Sequence, residues 1–397
     1  MTEPIYYSTQ VQRVRLALED RQLSQALAYL QSIVPDDEQR KREIAYLYGW
    51  YYVLLQDWEA AIQALSPFVQ QNLAHPGHVD IEEVREIHLE REKIAYFLLY
   101  LGIAALNLSL YSDASYHFAG CLCLLRTRRI PLPSVRIKAH YLWGLASVGC
   151  GRLQLAIEKY TRALQLCRFY HDQEEVPHVH YGLCLTHQLR KEYEEALKHG
   201  QEALQLYRER DDKQLEAWSL YLLGRTYREL KQYERATAML EEALQLNQET
   251  TNAPLITLMI CSSQITLFLS LDELEQAWAK CQYLLPLVER WEKRKEYMHL
   301  CARAYRAIGK TRYKQALRSS EKGVRMIFLR AASDLYKRAV HCLSLVQSDV
   351  DLALLYTEWA GVLEAQGEHV QAIDCWREAY QAAQREEFAN TSMIVPV

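Results

Sequence analysis

The sequence has few of the residues that punctuate a chain. Its 397 residues include only 14 Gly and 10 Pro, too few to turn the many short strands of an all-β fold. Among the ten cysteines no CxxC pair occurs, and only Cys121 and Cys123 stand close together. That excludes a small disulfide framework and the usual zinc-finger spacing. Most of these thiols fall where a helix buries its apolar face, which fits a reducing compartment, and the cytoplasm is the expected location. The opening MTEPIYYSTQ lacks the basic and apolar regions of a secretory signal. The uncharged window TTNAPLITLMICSSQITLFLSL at 250–271 contains Asn252, Pro254, Gln264 and several hydroxyl residues. It reads as a helix buried on both sides rather than a membrane span.

Chemical signatures are equally scarce. There is no Gly-rich phosphate loop, no GxSxG elbow and no HExxH pair, so the common nucleotide, acyl-transfer and zinc-hydrolase motifs are missing. Acidic residues are many, but in stretches such as EYEEALKHGQEA they form solvated helix faces. No catalytic residue is assigned, no cofactor is implied, and the chain is not expected to be an enzyme.

What the sequence does contain is repetition. Gly144, Cys184 and Gly224 stand 40 residues apart. Twelve residues after each comes Ala156, Ala196 or Ala236, and seven later Ala163, Ala203 or Ala243, each opening the letters ALQL. Three residues before each anchor stands Tyr141, Tyr181 or Tyr221. Apolar residues within a unit follow the 3,4 rhythm of helices, and breaks such as CGR (150–152) and LKQ (230–232) divide each unit into two helical runs. Small anchors let two antiparallel helices cross closely, and one such pair cannot bury its apolar face alone, so pairs must stack.

This pattern resembles the tetratricopeptide repeat family. Leu220, Leu223, Gly224, Tyr227, Tyr233, Ala236, Leu240 and Ala243 carry the likeness. The period of 40 exceeds the family's usual value of about 34, as in stretched repeats of bacterial signalling proteins, and implies longer helices or links. Weaker copies begin at Val14, Gly49, Gly102, Ile265 and Ala360, while 297–346 reads as two long helices broken near SSEKG (319–323). The predicted fold is an all-α solenoid of about nine stacked helix-turn-helix pairs. Its expected organisation is an N-terminal block of two pairs (1–72), a linker helix (73–93), the repeat array (94–389) and a disordered tail (390–397).

In the family the first helix of each pair lines a groove. Carried onto this sequence, the positions three before, one after and four after the anchor are Tyr46 and Trp50, Tyr141, Tyr181 and Gln188, and Tyr221, Arg225 and Arg228. Six before the anchor, Lys138, His178 and Trp218 border the same surface. Rings and guanidinium groups suit a peptide groove, giving large contact area and forked donors; tyrosine at this offset is also simply common in such repeats. The position after the anchor holds Leu145, Leu185 and Arg225, so the asparagine-based carboxylate clamp of some co-chaperone members is not expected.

Two further features carry competing readings. His180, Cys184 and His187 share one helical face and have the chemistry of metal ligands, but they occupy core positions of the repeat; core packing is favoured, and no metal is assigned. A metal-dependent enzyme stays as a remote alternative resting on 171–187. Between Arg290 and Arg338 there are 15 Lys/Arg against four acids, a net +11 that leaves −15 on the rest of the chain. Arg303, Arg306, Lys310 and Lys314 fall on one stripe there, offering contact to the chain's own acids or to an acidic partner surface; without interleaved aromatics, nucleic acid is not expected. The function read from all this is a protein- or peptide-binding scaffold. The alternative is a bacterial peptide-sensing regulator in which a groove-bound peptide repositions the N-terminal block.

Overall fold

In the computed structural model the described residues are 3–35, 38–72, 83–108, 110–125, 132–250, 253–294, 297–345 and 349–392. Among them there are eighteen α-helices and no strand. In the N-terminal half they are α1 (Glu3–Glu19), α2 (Leu23–Ser32), α3 (Glu38–Leu55), α4 (Trp58–Asn72), α5 (Glu83–Asn107), α6 (Tyr111–Leu124), α7 (Pro133–Gly149), α8 (Leu153–Tyr170) and α9 (Val176–Leu189). Then come α10 (Tyr193–Glu209), α11 (Lys213–Glu229), α12 (Tyr233–Glu249), α13 (Pro254–Ser270), α14 (Leu274–Trp291), α15 (Met298–Arg318), α16 (Lys322–Ser344), α17 (Asp349–Gln366) and α18 (His369–Ser392). The chain divides into two compact units, Met1–Ala203 and Leu204–Val397. Residues 73–82 of the expected linker and 393–397 of the expected tail lie outside the described residues; α5 begins at Glu83, inside the linker segment.

Helix starts follow local chemistry. Pro133 and Pro254 open α7 and α13, where a missing N–H costs nothing. Asp212 caps α11 by accepting from the Leu215 N–H at 3.0 Å. The extra length of the 40-residue period goes into the helices, which run 14 to 18 residues from α7 to α12. α13, the uncharged window, buries eleven of its residues. No helix among the described residues is long and apolar enough to cross a membrane.

The anchors act by absence of bulk. A Cβ at Gly49 would lie 2.3 Å from Leu65, at Gly102 2.4 Å from Phe118, at Gly144 2.5 Å from Tyr160 and at Gly224 2.7 Å from Leu240. Each partner stands sixteen residues after its anchor, on the second helix of the pair. Elsewhere the sizes are reversed: Ile265 is followed by Cys281 at the same spacing, both fully buried. One large and one small residue per crossing keep the density of a packed interior. The turn inside each pair repeats as well. The residue seven after the anchor is left-handed at Arg21, Gln56, Gly151, Lys191, Lys231, Asp272 and Gly367. At Lys231 its N–H donates to the Arg228 carbonyl and the Gln232 N–H to the Tyr227 carbonyl, both at 2.9 Å, which ends the first helix and starts the second.

Within each unit the helices pack in chain order, each on its neighbours, as a solenoid does. First helices of successive pairs also touch: α1 with α3, α3 with α5, α5 with α7 and α7 with α9 in the first unit, and α11 with α13 and α13 with α15 in the second. Second helices are splayed further apart. Each unit is therefore tighter on the side of its first helices.

Candidate functional site

At 100° per residue, positions three before, one after and four after an anchor point between about 40° and 100° away from it. Because the anchor faces the second helix, those positions face the tighter side of the unit. A Cβ on Gly309 would meet Tyr336 at 3.1 Å, which identifies Gly309 as the anchor of α15. The sequence alone did not assign one there. Arg306 and Lys310 then occupy the groove positions, and Arg303 the border position that Trp218 holds on α11.

In the first unit the residues on this side form ring clusters. Tyr46 packs edge-on to Phe97 at 5.2 Å, and Trp50 stacks on Tyr100 at 6.4 Å with 15° between planes. Tyr96 and Tyr100 of α5 join the same cluster; neither was singled out from the sequence, although Tyr96 stands six before Gly102, at the border position, while Tyr100 falls at none of the counted offsets. Burial pushes the Tyr46 phenol up to about 12, against a lowering hydrogen bond with Tyr100. Tyr141 is half-buried between Tyr160 at 6.2 Å and His178 at 5.9 Å, and burial raises its phenol well above the ordinary value. Lys138 pairs with the buried Glu175 at 3.6 Å. Tyr181 is half-buried and Gln188 buried.

His180 and His187 of α9 meet a residue the sequence reading passed over, His199 of α10. The Nδ1 atoms of His180 and His199 lie 3.0 Å apart, His187 stacks on His199 at 5.6 Å, and His187 Nδ1 lies 2.7 Å from Glu192. Cys184 is buried. Among the described residues no group of three or more His, Cys, Asp or Glu is arranged to hold a metal ion. Burial, and then the charges of His180 and His187, lower His199 to about 4.

In the second unit the polar side chains converge on Tyr221, which is fully buried. Arg225 Nη1 donates to its hydroxyl oxygen at 3.3 Å, and the Trp218 ring stands edge-on to it at 6.3 Å. The charge of Arg303 from α15 and the Ser263 hydroxyl of α13 also act to lower its ionisation. Burial alone would raise this phenol. The guanidinium groups of Arg225 and Arg303 and the hydrogen bonds outweigh burial, so it sits below its ordinary value of 10.0.

The other basic residues chosen from the sequence have partners within the unit. Arg228 pairs with Glu229. Arg306 grips Glu358 of α17 with two bonds, Nε to Oε2 at 2.8 Å and Nη2 to Oε1 at 2.7 Å, and Lys310 adds a third at 2.8 Å. Burial would raise Glu358, but Arg306 and then Lys310 hold it below the ordinary carboxyl value. Lys314 donates to the Leu269 carbonyl at 2.6 Å. The basic stripe therefore separates: Arg306, Lys310 and Lys314 brace neighbouring helices, while the charge of Arg303 acts to lower the Tyr221 ionisation.

Residues 175–249 match the family model described as tetratricopeptide repeat. Residues 175–249 carry tetratricopeptide repeats. Among solved structures it is similar to the apo form of the quorum sensor NprR from B. thuringiensis (TM-score 0.65, 17% identity, 95% of this chain and 98% of that one). It is similar also to the apo form of RapI (TM-score 0.63, 14% identity, 96% and 98%) and to NprR in complex with its cognate peptide NprX (TM-score 0.56, 16% identity, 89% and 98%). At these identities the likeness is one of fold: helical tetratricopeptide-like pairs over almost the whole length. No curated protein matches the sequence.

Proposed function

We propose that the protein is a non-enzymatic, cytoplasmic scaffold that binds a peptide or a segment of a partner protein along the faces of its first helices. The observation that carries this reading is the half-buried pair Trp218 and Arg225 on α11, both packed on the buried Tyr221 ring. It gathers a broad ring and a forked donor where the repeat geometry leaves the helix without a second-helix partner, and such side chains dominate recognition energies. The ring clusters around Tyr46 and Tyr141 in the first unit supply similar surface. The test is a binding screen of the purified chain against an immobilised peptide library. Replacing Trp218 and Arg225 together by Ala should weaken the selected peptides about tenfold or more; unchanged binding would refute this placement.

A second reading is that binding serves as sensing, with the N-terminal block of residues 1–72 moving when peptide binds. It is favoured by the end-to-end similarity to NprR, which is described as a quorum sensor and as complexed with its cognate peptide. Stacked pairs touch only near neighbours, so a ligand crossing several of them shifts their spacing without any chemistry. Small-angle scattering with and without a selected peptide checks this: a change in radius of gyration supports sensing, and an identical profile leaves the scaffold reading alone.

A further inference from the structure

Second helices pack on the first helix that follows them: α2 on α3, α4 on α5, α6 on α7 and α8 on α9 in the first unit, and α12 on α13, α14 on α15 and α16 on α17 in the second. α18 packs on α17, and among the described residues no helix follows it. Its inner side is ordinary for the repeat, with Ala372, Cys375, Ala379 and Ala382 buried. Its outer side is not. Val370 is 75% exposed, Ile373 58%, Trp376 43% and Tyr380 64%. At 100° per residue these four lie within about 120° of arc. A repeat array that ends in water carries a polar outer face; this helix carries a stripe of large apolar side chains.

Val370, Ile373, Arg377, Tyr380 and Gln384 follow one another in alternating steps of three and four, the seam by which one helix packs along another. The one charge in this seam, Arg377, pairs with Asp374 of its own helix at 3.2 Å, and both are exposed. The seam matches itself. Laid antiparallel about an axis level with Cys375, two copies of α18 set Val370 against Tyr380 and Ile373 against Arg377, each pairing occurring twice. The two Asp374–Arg377 pairs then lie side by side with opposite charges adjacent, so the single cation of the seam meets an acid from the other copy. The exposed parts of the four apolar side chains come to on the order of 450 Å² per copy, the size of patch that marks a contact surface. With the exposed His369, Gln381 and Gln384 beside it, two copies bury about 1,200 Å² or more, which is what a specific interface needs.

We propose that the outer face of α18 is covered by the same face of a second copy of this chain, antiparallel about a two-fold axis, so that the protein is an isologous dimer through this seam. Trp376, whose indole N–H donates to Glu364 of α17 at 3.4 Å, closes one flank. The proposal stands apart from the peptide-binding reading, since no residue of the seam lies on a first helix.

The test uses the full chain and sedimentation equilibrium across micromolar concentrations, where the wild type should be a dimer. Ile373→Glu should weaken that dimer about a hundredfold, because each variant dimer loses the contact twice. Ile327→Glu, at a similarly exposed apolar position on α16 (64%), should leave it unchanged. Both positions face water in the single chain, and far-ultraviolet dichroism checks that each variant folds. Charge reversal tests the register. Arg377→Asp and Asp374→Arg should each be monomeric alone, with like charges facing across the axis, and should pair when the two are mixed. Pairing restored only in the mixture supports the antiparallel seam. A wild type that stays monomeric overturns the proposal and leaves the stripe to a helix of another protein. A dimer that survives Ile373→Glu, or that Ile327→Glu breaks equally, overturns it too. So does a mixture of the charge-reversed variants that fails to pair.

Discussion

The guanidinium of Arg225 donates to the phenol oxygen of Tyr221 across 3.3 Å, one helical turn along α11. With Arg303 acting on the same hydroxyl, the phenol ionises below its ordinary 10.0 although its ring is fully buried. An ultraviolet difference titration of the wild type should therefore show one tyrosine ionising earlier than the bulk. Tyr221→Phe should delete that phase, and Arg225→Gln should move it to higher pH. A phase that survives Tyr221→Phe belongs elsewhere and contradicts the assignment.

The glycine anchors make opposite predictions at two positions. At Gly144 an added methyl lands 2.5 Å from the Tyr160 ring, which is itself fully buried. Gly144→Ala should cost about 1–3 kcal/mol, as overpacking does. A Cβ on Gly361 meets nothing within 4 Å, and Gly361→Ala in α17 should gain up to about 1 kcal/mol from helix propensity. Urea denaturation of the two variants measures both signs.

The left-handed turns give a third test. Lys231 holds a φ of 59°, where an L side chain is strained and glycine is not. Lys231→Gly should stabilise by about 1 kcal/mol. Gly151, at a φ of 72°, should show the reverse on replacement by Ala, by a similar amount. Thermal midpoints read both.

The histidine cluster sets an acid limit. Burial, with His180 and His187 beside it, keeps His199 neutral down to about 4, against an ordinary 6.5. Burial, with Lys159, Arg162 and Arg136, does the same for His140. Between those values the unfolded chain takes up protons that the folded chain does not, so stability is complete above about 6.5 and declines as pH falls toward 4. His199→Gln should shrink the difference between urea midpoints at pH 7 and pH 5. An unchanged difference places the effect on other groups.

The repeat was legible because its most constrained residues are also its most conspicuous. An anchor that must leave room for Tyr160 or Leu240 shows as Gly144 or Gly224, and the period follows from them. The reversed crossing of Ile265 and Cys281 gives a fainter signal, and that unit read more weakly. The turns were half hidden, since Lys191, Lys231 and Asp272 occupy left-handed positions with no glycine to mark them. Long-range partners left no trace at all. Arg306 and Glu358 are 52 residues apart, and the charge of Arg303 on α15 acts on Tyr221 of α11. A basic stripe read from one helix cannot reveal which of its charges a neighbouring helix takes up. His199 escaped notice because its partners lie on the preceding helix at no repeated spacing.

The account stands or falls on whether a ligand lies against α11 beside Trp218. A photo-crosslinking side chain placed at position 218 and, separately, at the exposed outer position of Gln245 measures this directly with peptides selected by the full chain. Crosslinking at 218 that excess unlabelled peptide suppresses, with little at 245, is the predicted result. Equal labelling at both positions, or labelling at 245 alone, would contradict it.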